Sequence, residues 1–600
     1  MILVFGGTTE GRKAVQTLEE AGKHFYYSTK TGEQVLTLHH GVRVDGAMDA
    51  TAMQLFCREH TIRLLIDAAH PFATQLHATV ASVAYMLGLP LIRYERTFPQ
   101  RDDSVEWVDG IGDIRWSEAP QRVLSALGVQ SIARLKPLET AERHFLYRIL
   151  PRESSIQLAH EQGATDEQIC FYREDEDEEA ELRRLQPDVL LLKESGLSGG
   201  FAEKVAAARK LGIRVVALRR PDYLSTIRPA VGDAWMTEHC QLVNGPRGLR
   251  RAVERVLPEF FPLRSGLTTG TCATAAVKAA LQGLRGEEAE RVWVTLPDGE
   301  SVSVEIEAMG PGWATVIKDF SDDPDVTRGC RIKAEVSTPL PTSPEGEGAA
   351  EEKGRIRFLQ GEGVGRVTLP GLGIAVGEPA INPVPRRMIE AEVRVMTAAA
   401  VDIRISVEHG RELAERTFNP RVGVVDGISI IGTTGIVTPL SNEAFVESIG
   451  RELEVACAIG CDAIGLASGK QGEEALLAAE PSLRVIHYGN FIGAALARAH
   501  ALGFRRAVVG IMIGKAVKLA EGHLDTHSHK VLMNKMFLTA VATEAGVADA
   551  AAKINDITMA RELWDVMPTA FFEALHTRCE AHCRRVFPTG ELEIRLIQQP

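Results

Sequence analysis

Arg264-Ser265-Gly266-Leu267-Thr268-Thr269-Gly270-Thr271-Cys272-Ala273-Thr274-Ala275-Ala276-Val277-Lys278-Ala279-Ala280 runs from a glycine- and hydroxyl-rich turn into an alanine-rich helix. A second start of this kind opens the chain: Met1-Ile2-Leu3-Val4-Phe5-Gly6-Gly7-Thr8-Thr9-Glu10-Gly11-Arg12. Thr and Gly favour helix starts, and the free N–H groups of a first helical turn attract anions. A domain core closes within roughly 100–200 residues, so two such starts about 260 residues apart predict two enzymes on one polypeptide.

A chain of 600 residues is too long for one core. The net charge of −13 argues against a nucleic-acid partner, since phosphate binding needs clustered positive charge. It does not forbid an anionic substrate, because local Arg and Lys set the field inside a cleft. Nine scattered cysteines make no disulfide framework. The start lacks a basic stretch and a cleavage signature, so no signal peptide is expected. The apolar run 508–514 is too short to span a membrane. The expectation is a soluble, cytoplasmic protein with no membrane partner.

The element pattern predicts an α/β protein. Ile2–Phe5 reads as a strand, 10–22 as a helix, 62–66 as a strand, 75–88 as a helix and 89–94 as a strand. A second set follows: 122–127, 142–149, 168–172 and Val189–Lys193, then helix 200–211 and strand Arg214–Leu218. Strands alternating with helices imply parallel sheets. The expected domains are two Rossmann-like parallel-sheet lobes, 1–95 and 96–245, a tether 246–263, an α+β part 264–415 and an α/β part 416–600. In the last part, 422–425, 428–431, Ala463–Ala467, 485–488 and 506–513 read as strands, and 442–459, 490–502 and 530–545 as helices. The low-complexity stretch 341–354 reads as a mobile loop, and the acidic run 174–179 as a solvated helix start.

Gly6, Gly7, Thr8 and Thr9 follow a strand and open a helix, which suits a pyrophosphate, although the spacing is not G-x-G-x-x-G and a bare βα turn reads the same way. Asp67-Ala68-Ala69-His70-Pro71-Phe72-Ala73, Lys193-Glu194-Ser195-Gly196 and Arg219-Arg220-Pro221 each end an apolar strand, where open parallel sheets place ligands. A lone His such as His70 is more often a satisfied polar group than a catalyst. Together these segments resemble the precorrin-6A reductase family of vitamin B12 biosynthesis, over roughly residues 1–245. The resemblance implies hydride transfer from NADH or NADPH to a macrocycle double bond. It implies that Gly6, Gly7, Thr8 and Thr9 hold the cofactor phosphates, and that His70, Lys193, Glu194 and Ser195 line the cleft.

In the second half, Thr268 to Cys272 read as a capped helix start, with Cys272 more readily a buried structural thiol than a nucleophile. Lys318-Asp319 with Asp322, Asp323 and Asp325 is acid-rich: an exposed turn, or a carboxylate cluster that takes up protons or a cation. Residues 361–372 and 377–386 are rich in Gly and Pro and build loops. Gly427–Val437 reads as strand, glycine turn and cap. These blocks, with Asn490-Phe491-Ile492-Gly493, Gly514-Lys515-x-x-Lys518-Leu519-Ala520-x-Gly522 and Thr526-His527-Ser528, resemble the cobalt-precorrin-5B C1-methyltransferase family over about 264–600. That implies methyl transfer from S-adenosylmethionine to C1 of the macrocycle. Gly432, Thr433, Thr434 and Gly435, with Asn490, are the candidates for holding S-adenosylmethionine. His527, Lys515 and Asp322 are the candidate catalytic residues. The family pattern has Gly-His before Ile-Gly-Lys, where this chain has Ile511-Met512; His523 or His527 could substitute.

The macrocycle carries many carboxylate arms, so cations must line its pockets. Candidates are Lys193, Arg219 and Arg220 in the first half, and Arg264, Arg386, Lys515 and Lys518, with Thr269 as a polar contact, in the second. His523/His527, Cys457/Cys461 and His576/Cys579/Cys583 lack the paired C-x-x-C spacing of structural zinc, so cobalt is expected only as part of the corrinoid substrate. The combined reading is a bifunctional enzyme that methylates cobalt-precorrin-5B to cobalt-precorrin-6A and reduces it to cobalt-precorrin-6B. The alternative is a methyltransferase with a non-catalytic nucleotide-sensing N-terminal module. The sequence leaves the oligomeric state open, a homo-oligomer included.

Overall fold

The computed structural model describes residues 1–598 apart from 31, 33–35, 99–100, 174–176, 197–199, 339–353, 440–441 and 528–532. The stretch read as a mobile loop, 341–354, therefore lies almost wholly outside the described residues. The chain divides into two compact units: Met1–Arg264 with Asp298–Val302, and Ser265–Pro297 with Ser303–Pro600. Among the described residues no helix is long and apolar enough to cross a membrane.

The first unit holds two six-stranded sheets. Its strands are β1 (Ile2–Phe5), β2 (Phe25–Thr29), β3 (Gly41–Asp45), β4 (Leu64–Asp67), β5 (Leu91–Glu95), β6 (Glu106–Val108), β7 (Gln121–Ser125), β8 (Arg143–Ile149), β9 (Ile169–Phe171), β10 (Val189–Lys193), β11 (Arg214–Leu218) and β12 (Cys240–Asn244). Strand order is β12-β5-β4-β1-β2-β3 in one sheet and β6-β11-β10-β7-β8-β9 in the other. Every neighbouring pair is parallel. Helices cover both faces, so the central strands are continuous apolar runs; all four residues of β1 are buried.

Each sheet has the doubly wound order 3-2-1-4-5-6. In each, the sixth place is filled from outside the local run of strands: β12 returns to the first sheet, and β6 joins the second before the second run begins. Residues 223–261 therefore belong to the first lobe. Tyr223, Ile227 and Trp235 pack on one face of its sheet, and Leu249, Val253, Phe260 and Phe261 on the other. The segment read as a tether, 246–263, is a packed amphipathic helix, Gly245–Val256, followed by an aromatic pair. Sequence order misleads here because a short edge strand such as β12 carries no turn signal that marks its destination.

In the second unit the helix Thr269–Leu284 is buried on nearly all sides. It packs on the strands Trp313–Ile317 and Arg331–Ser337 and on the helix Pro383–Met396. Small side chains allow that approach: a Cβ at Gly283 would overlap the Gly310 carbonyl. The five-stranded sheet is mixed, with Val401–Val407 antiparallel to Arg331–Ser337 and parallel to Ile356–Leu359. Residues 428–431, read as a strand, make only single bridges, Val364 to Ile428 and Ile381 to Ile430. The reason is local. Gly363 has φ +70 and lies against the Val407 carbonyl, and the partner changes within two residues: Ile428 bonds Gly363 and Gly365, whereas Ile430 bonds Ala380 and Asn382. The last part is a parallel sheet in the order Arg484–His487, Ala463–Ala467, Arg506–Met512, Glu591–Ile597, with its main core on one face. The predicted helix 530–545 is described as Lys535–Glu544.

Leu249 is fully buried against the first sheet. Leu249→Ala is expected to destabilise the first unit by about 2–5 kcal/mol, read as a lowered urea midpoint at unchanged slope. A free tether would make the substitution silent.

Candidate functional site

Ligands of open parallel sheets bind where strand order reverses. In the first lobe that point lies between β1 and β4. Thr8 caps the helix Thr9–Glu19: its hydroxyl accepts from Gly11 N at 3.1 Å and donates to the Ala68 carbonyl at 2.9 Å. Gly7 N donates to the Tyr27 hydroxyl at 2.9 Å, and a Cβ at Gly6 would overlap the Tyr27 ring. Gly7 has φ +93 and open space where a Cβ would stand, so the backbone itself forms the rim of the crevice. The four residues Gly6 to Thr9 thus form one edge, with Tyr27 beneath.

In the second lobe the reversal lies between β7 and β10, and β10 ends on Lys193. Lys193 Nζ stands 5.1 Å from the Phe72 ring centroid, so the loop after β4 meets the end of β10. Arg96, just beyond β5, ties the lobes. Its Nε donates to buried Glu10 at 2.8 Å and its Nη1 to the Ser195 carbonyl at 2.7 Å. His70 lies in this cleft. Burial, together with the Arg96 and Lys193 cations, pushes its pKa down to about 4, so it is a neutral imidazole at neutral pH.

A buried ionic group underlies the His70 loop. Asp67, fully buried, meets His77 Nδ1 at 2.6 Å and Arg93 Nη1 at 3.1 Å. His77 Nε2 lies 3.0 Å from the His70 carbonyl, and Arg93 Nη1 donates to the Ala69 carbonyl at 2.9 Å. Burial alone would raise the Asp67 pKa, but Arg93 and His77 outweigh it and bring it to about 2.

The carboxylate of Glu194, expected to line the cleft, is already engaged. It is 5 % exposed and accepts from Arg101 at 3.2 and 3.0 Å and from Arg220 Nη1 at 3.0 Å. Its task is to hold two arginines whose outer faces stay partly open. Arg220 also lies 3.6 Å over the Phe98 ring. Ser195 contributes its carbonyl to Arg96, and Arg219 pairs with Asp109 at 3.0 Å.

In the second unit the first turn of the helix Thr269–Leu284 is filled by its own chain. Thr268 Oγ1 accepts from Thr271 N at 3.2 Å, and Gly270 N donates to the Ile431 carbonyl at 2.9 Å. Thr269 Oγ1 accepts from Ile431 N at 2.9 Å, and Thr271 Oγ1 donates to the Gly435 carbonyl at 2.7 Å. Thr269 is thus a structural contact, and Gly432 is pressed against Thr268. Thr433 and Thr434 remain exposed, and Thr433 donates to Glu447 at 3.1 Å.

Asn490, Lys515, Lys518 and His527 come together at the C-terminal edge of the last parallel sheet. Lys515 Nζ donates to the Gly489 carbonyl at 2.6 Å and the Ser468 carbonyl at 3.4 Å, joining the loops that follow two neighbouring strands. Lys518 Nζ donates to the Thr526 carbonyl at 3.2 Å, and Thr526 N to the Asn490 carbonyl at 2.9 Å. Burial, with Lys518 nearby, lowers the Lys515 pKa. His527 N donates to Asp525 at 3.2 Å; Ser528 lies outside the described residues. The helix Asn442–Ala458 links this edge to the glycine turn, since Glu447 meets Thr433 and Phe445 packs on Gly489. At the same edge His487 Nε2 lies 2.8 Å from Glu473, which also pairs with Arg421.

Other candidates fall elsewhere. Arg386 donates to the Ile381 and Pro379 carbonyls at 2.8 and 3.2 Å and pairs with Glu378, so it braces its own loop. In the acid-rich turn, Asp325 pairs with buried Lys318 at 2.6 Å and Asp319 accepts from Leu267 N at 2.6 Å, which leaves Asp322 on the surface. Arg264 is exposed. Cys579 and Cys583 are fully buried, and burial raises both thiols, Cys583 to about 12, so they are core groups and not thiolate ligands. Sequence reading missed Tyr27, His77, Arg93, Arg96 and Arg101. The one signal was a charged residue, Arg93, inside an apolar strand.

Residues 1–238 match the family described as Precorrin-6x reductase CbiJ/CobK. Residues 258–439 match CbiD, and 525–598 match the CbiD C-terminal domain. The cobalt-precorrin-5B C(1)-methyltransferase of Prosthecochloris aestuarii is 43% identical over 354 residues, covering 56% of this chain and 94% of that protein. That of Methylococcus capsulatus is 40% identical over 344 residues, covering 54% and 88%. A solved CobK precorrin-6A reductase is 22% identical, covers 43% of this chain and 97% of its own, and superposes with a TM-score of 0.33.

Asp67→Asn removes one of the two carboxylates that meet buried Arg93, leaving Glu95 at 3.2 Å, and is expected to cost about 3 kcal/mol at neutral pH in urea unfolding. The native carboxylate is stabilising above its ordinary value of 3.8, and that stability is lost as pH falls through about 2. The gap between wild type and variant should therefore close over that window. Lys515→Met removes two charge-assisted hydrogen bonds and should lower stability by about 1.5–3 kcal/mol, measured the same way.

Proposed function

We propose that this chain, which belongs to the cobalt-precorrin-5B C(1)-methyltransferase family and carries a precorrin-6x reductase domain ahead of it, performs two consecutive steps of cobalamin biosynthesis. The second unit methylates C1 of cobalt-precorrin-5B with S-adenosylmethionine. The first reduces the resulting cobalt-precorrin-6A to cobalt-precorrin-6B with NADH or NADPH. The observation that carries the reading is the match of the second unit to nearly the whole length of a methyltransferase, 94% at 43% identity, behind a separate reductase match.

The residues at each edge suit the groups they would hold. In the first unit the open face at Gly7 and the start of the helix Thr9–Glu19 suit a dinucleotide pyrophosphate. Reduced nicotinamide supplies a hydride when bound. The chain's part is to orient and to exclude water. Thr8 closes the crevice onto Ala68, and Arg96 holds the two lobes at a fixed spacing. Arg101, Lys193 and Arg220 give the cleft a positive lining suited to the carboxylate arms of a corrinoid.

In the second unit the Asn490 side-chain amide has no protein partner among the described residues, and Gly469 has open space at its Cβ position. Both lie at the edge where parallel sheets take ligands. S-adenosylmethionine supplies an already activated methyl group, so the protein must align donor and carbon and keep water out. Lys515 serves that end by fixing the loops at Ser468 and Gly489. The exposed Thr433 and Thr434 stand on the glycine turn that the helix Asn442–Ala458 meets through Glu447, and they offer further polar contacts. Cobalt enters within the substrate.

Mass spectrometry of product made from cobalt-precorrin-5B tests both steps. With S-adenosylmethionine the mass is expected to rise by one methyl group; with added NADH or NADPH it should then rise by two hydrogens. Cofactor binding without the second gain would make the first unit a nucleotide sensor, and no methyl gain would overturn the reading of the second.

A further inference from the structure

Reduction of a ring double bond adds two hydrogens of different origin, a hydride and a proton, and the proton must be delivered by a positioned acid. We propose that Lys193 is that catalytic acid, giving its Nζ proton to the macrocycle; this rests on the reductase reading of residues 1–238.

Lys193 ends β10 at the switch point of the second lobe and stands over Phe72 from the first. An aromatic face attracts an ammonium but takes none of its protons in a strong hydrogen bond. Among the described residues no carboxylate pairs with it. The two buried acids of the cleft are held by arginines: Glu10 by Arg96, and Glu194 by Arg101 and Arg220. The charged groups acting on the cleft are Arg134, from the helix Ile132–Leu135, on Lys193, and Arg96, Lys193 and Arg93 on His70, with the Glu10 carboxylate opposing them there. Burial and Arg134 lower the proton affinity of Lys193 below the ordinary lysine value, which makes it a better acid at neutral pH.

The other groups are poor donors. His70 is neutral, and its Nδ1 accepts from Phe72 N at 3.2 Å. Arginine does not give up its proton. Tyr27 lies beneath the Gly6–Gly7 turn, and burial raises its pKa. Among the described residues Lys193 is the half-buried acid of the cleft with no carboxylate partner, and it meets Phe72 of the other lobe.

The C4–H bond of reduced nicotinamide breaks, and its electron pair forms a C–H bond at one end of the macrocycle double bond. The π electrons move to the other end, which takes a proton as a Lys193 N–H bond breaks. The neutral amine regains a proton from water. One reduced nicotinamide dinucleotide and one proton are consumed per dihydro product.

The test uses the full chain and the methylated macrocycle. Lys193→Met is expected to lower kcat for reduction by about 100-fold. Affinity for NADH or NADPH, read by nicotinamide fluorescence without macrocycle, should stay within about threefold of wild type. Lys193→Ala should regain turnover with added methylamine or ethylamine, which a merely structural lysine would not do. In the ligand-free chain, the NMR signal of isotopically dimethylated Lys193 should titrate below the ordinary lysine value of 10.5. The proposal is overturned by a Lys193→Met enzyme with kcat within about threefold of wild type, or by a rise in KM alone, which would mark a carboxylate contact. Failure of amines to restore turnover also overturns it. A wild-type chain that reduces nothing sinks the reductase reading and this proposal with it; an active wild type beside an equally active variant sinks this proposal alone.

Discussion

Asp67 has no access to water, and a carboxylate in that position must be paired or it cannot stay charged. That single requirement shapes the first cleft. Arg93 and His77 are drawn to Asp67 from β5 and from the helix Thr74–Leu87, and each keeps one bond for the loop between them: Arg93 to the Ala69 carbonyl, His77 to the His70 carbonyl. The loop that carries His70 and Phe72 is therefore set by charge pairing in the core, not by its own propensity. Phe72 in turn meets Lys193 of the other lobe. A buried ion group contributes little net stability, but it fixes one arrangement, because every other arrangement strands a charge.

The second unit reaches the same end by another route. Its glycine block lets backbones touch, so Gly363 lies on the Val407 carbonyl and Ile428 N donates back to the Gly363 carbonyl at 3.0 Å. The helix start at Thr268 is then closed by the 431–435 turn. What remains open is the edge of the last parallel sheet. There Lys515 donates to carbonyls at the ends of two neighbouring strands. Backbone carbonyls in the loops just past the strand ends have no ladder partner in the sheet, so a single ammonium that bridges two of them makes a rigid rim.

The sequence disclosed what depends on local chemistry. Apolar runs closed by glycine turns gave β1, β4, β10 and the last parallel sheet, and the strand-end loops at Gly6, Asp67 and Lys193 do gather in one cleft. Asn490, Lys515, Lys518 and His527 likewise share one edge. What stayed hidden depends on distant pairing. Nothing in residues 240–244 says that they complete the first sheet, and nothing in 246–263 distinguishes a packed amphipathic helix from a linker with a short helix. Arg386 and Glu194 read as substrate contacts because a charged residue at a loop looks the same whether it faces solvent or its own backbone. The Gly432–Gly435 turn read as an open cradle, yet Gly432 is shut against Thr268. Tyr27, Arg96 and Arg101 could not be found, since each acts through a partner 20 to 93 residues away.

The two edges differ in how they treat their cations, and the difference matches the chemistry each unit resembles. At the second edge both lysines donate to backbone carbonyls, and methyl transfer from a sulfonium asks for alignment without a delivered proton. At the first edge the arginines are paired with buried carboxylates, whereas Lys193 is left against an aromatic ring with its proton held less firmly than usual. Adding hydrogen across a double bond requires that one group in the cleft stay able to part with a proton. Pairing Lys193 with Glu194 would have been the simpler way to bury both charges. The structure instead assigns Glu194 to two arginines that cannot serve as acids, which leaves Lys193 with no carboxylate partner among the described residues, as the proposed proton delivery needs.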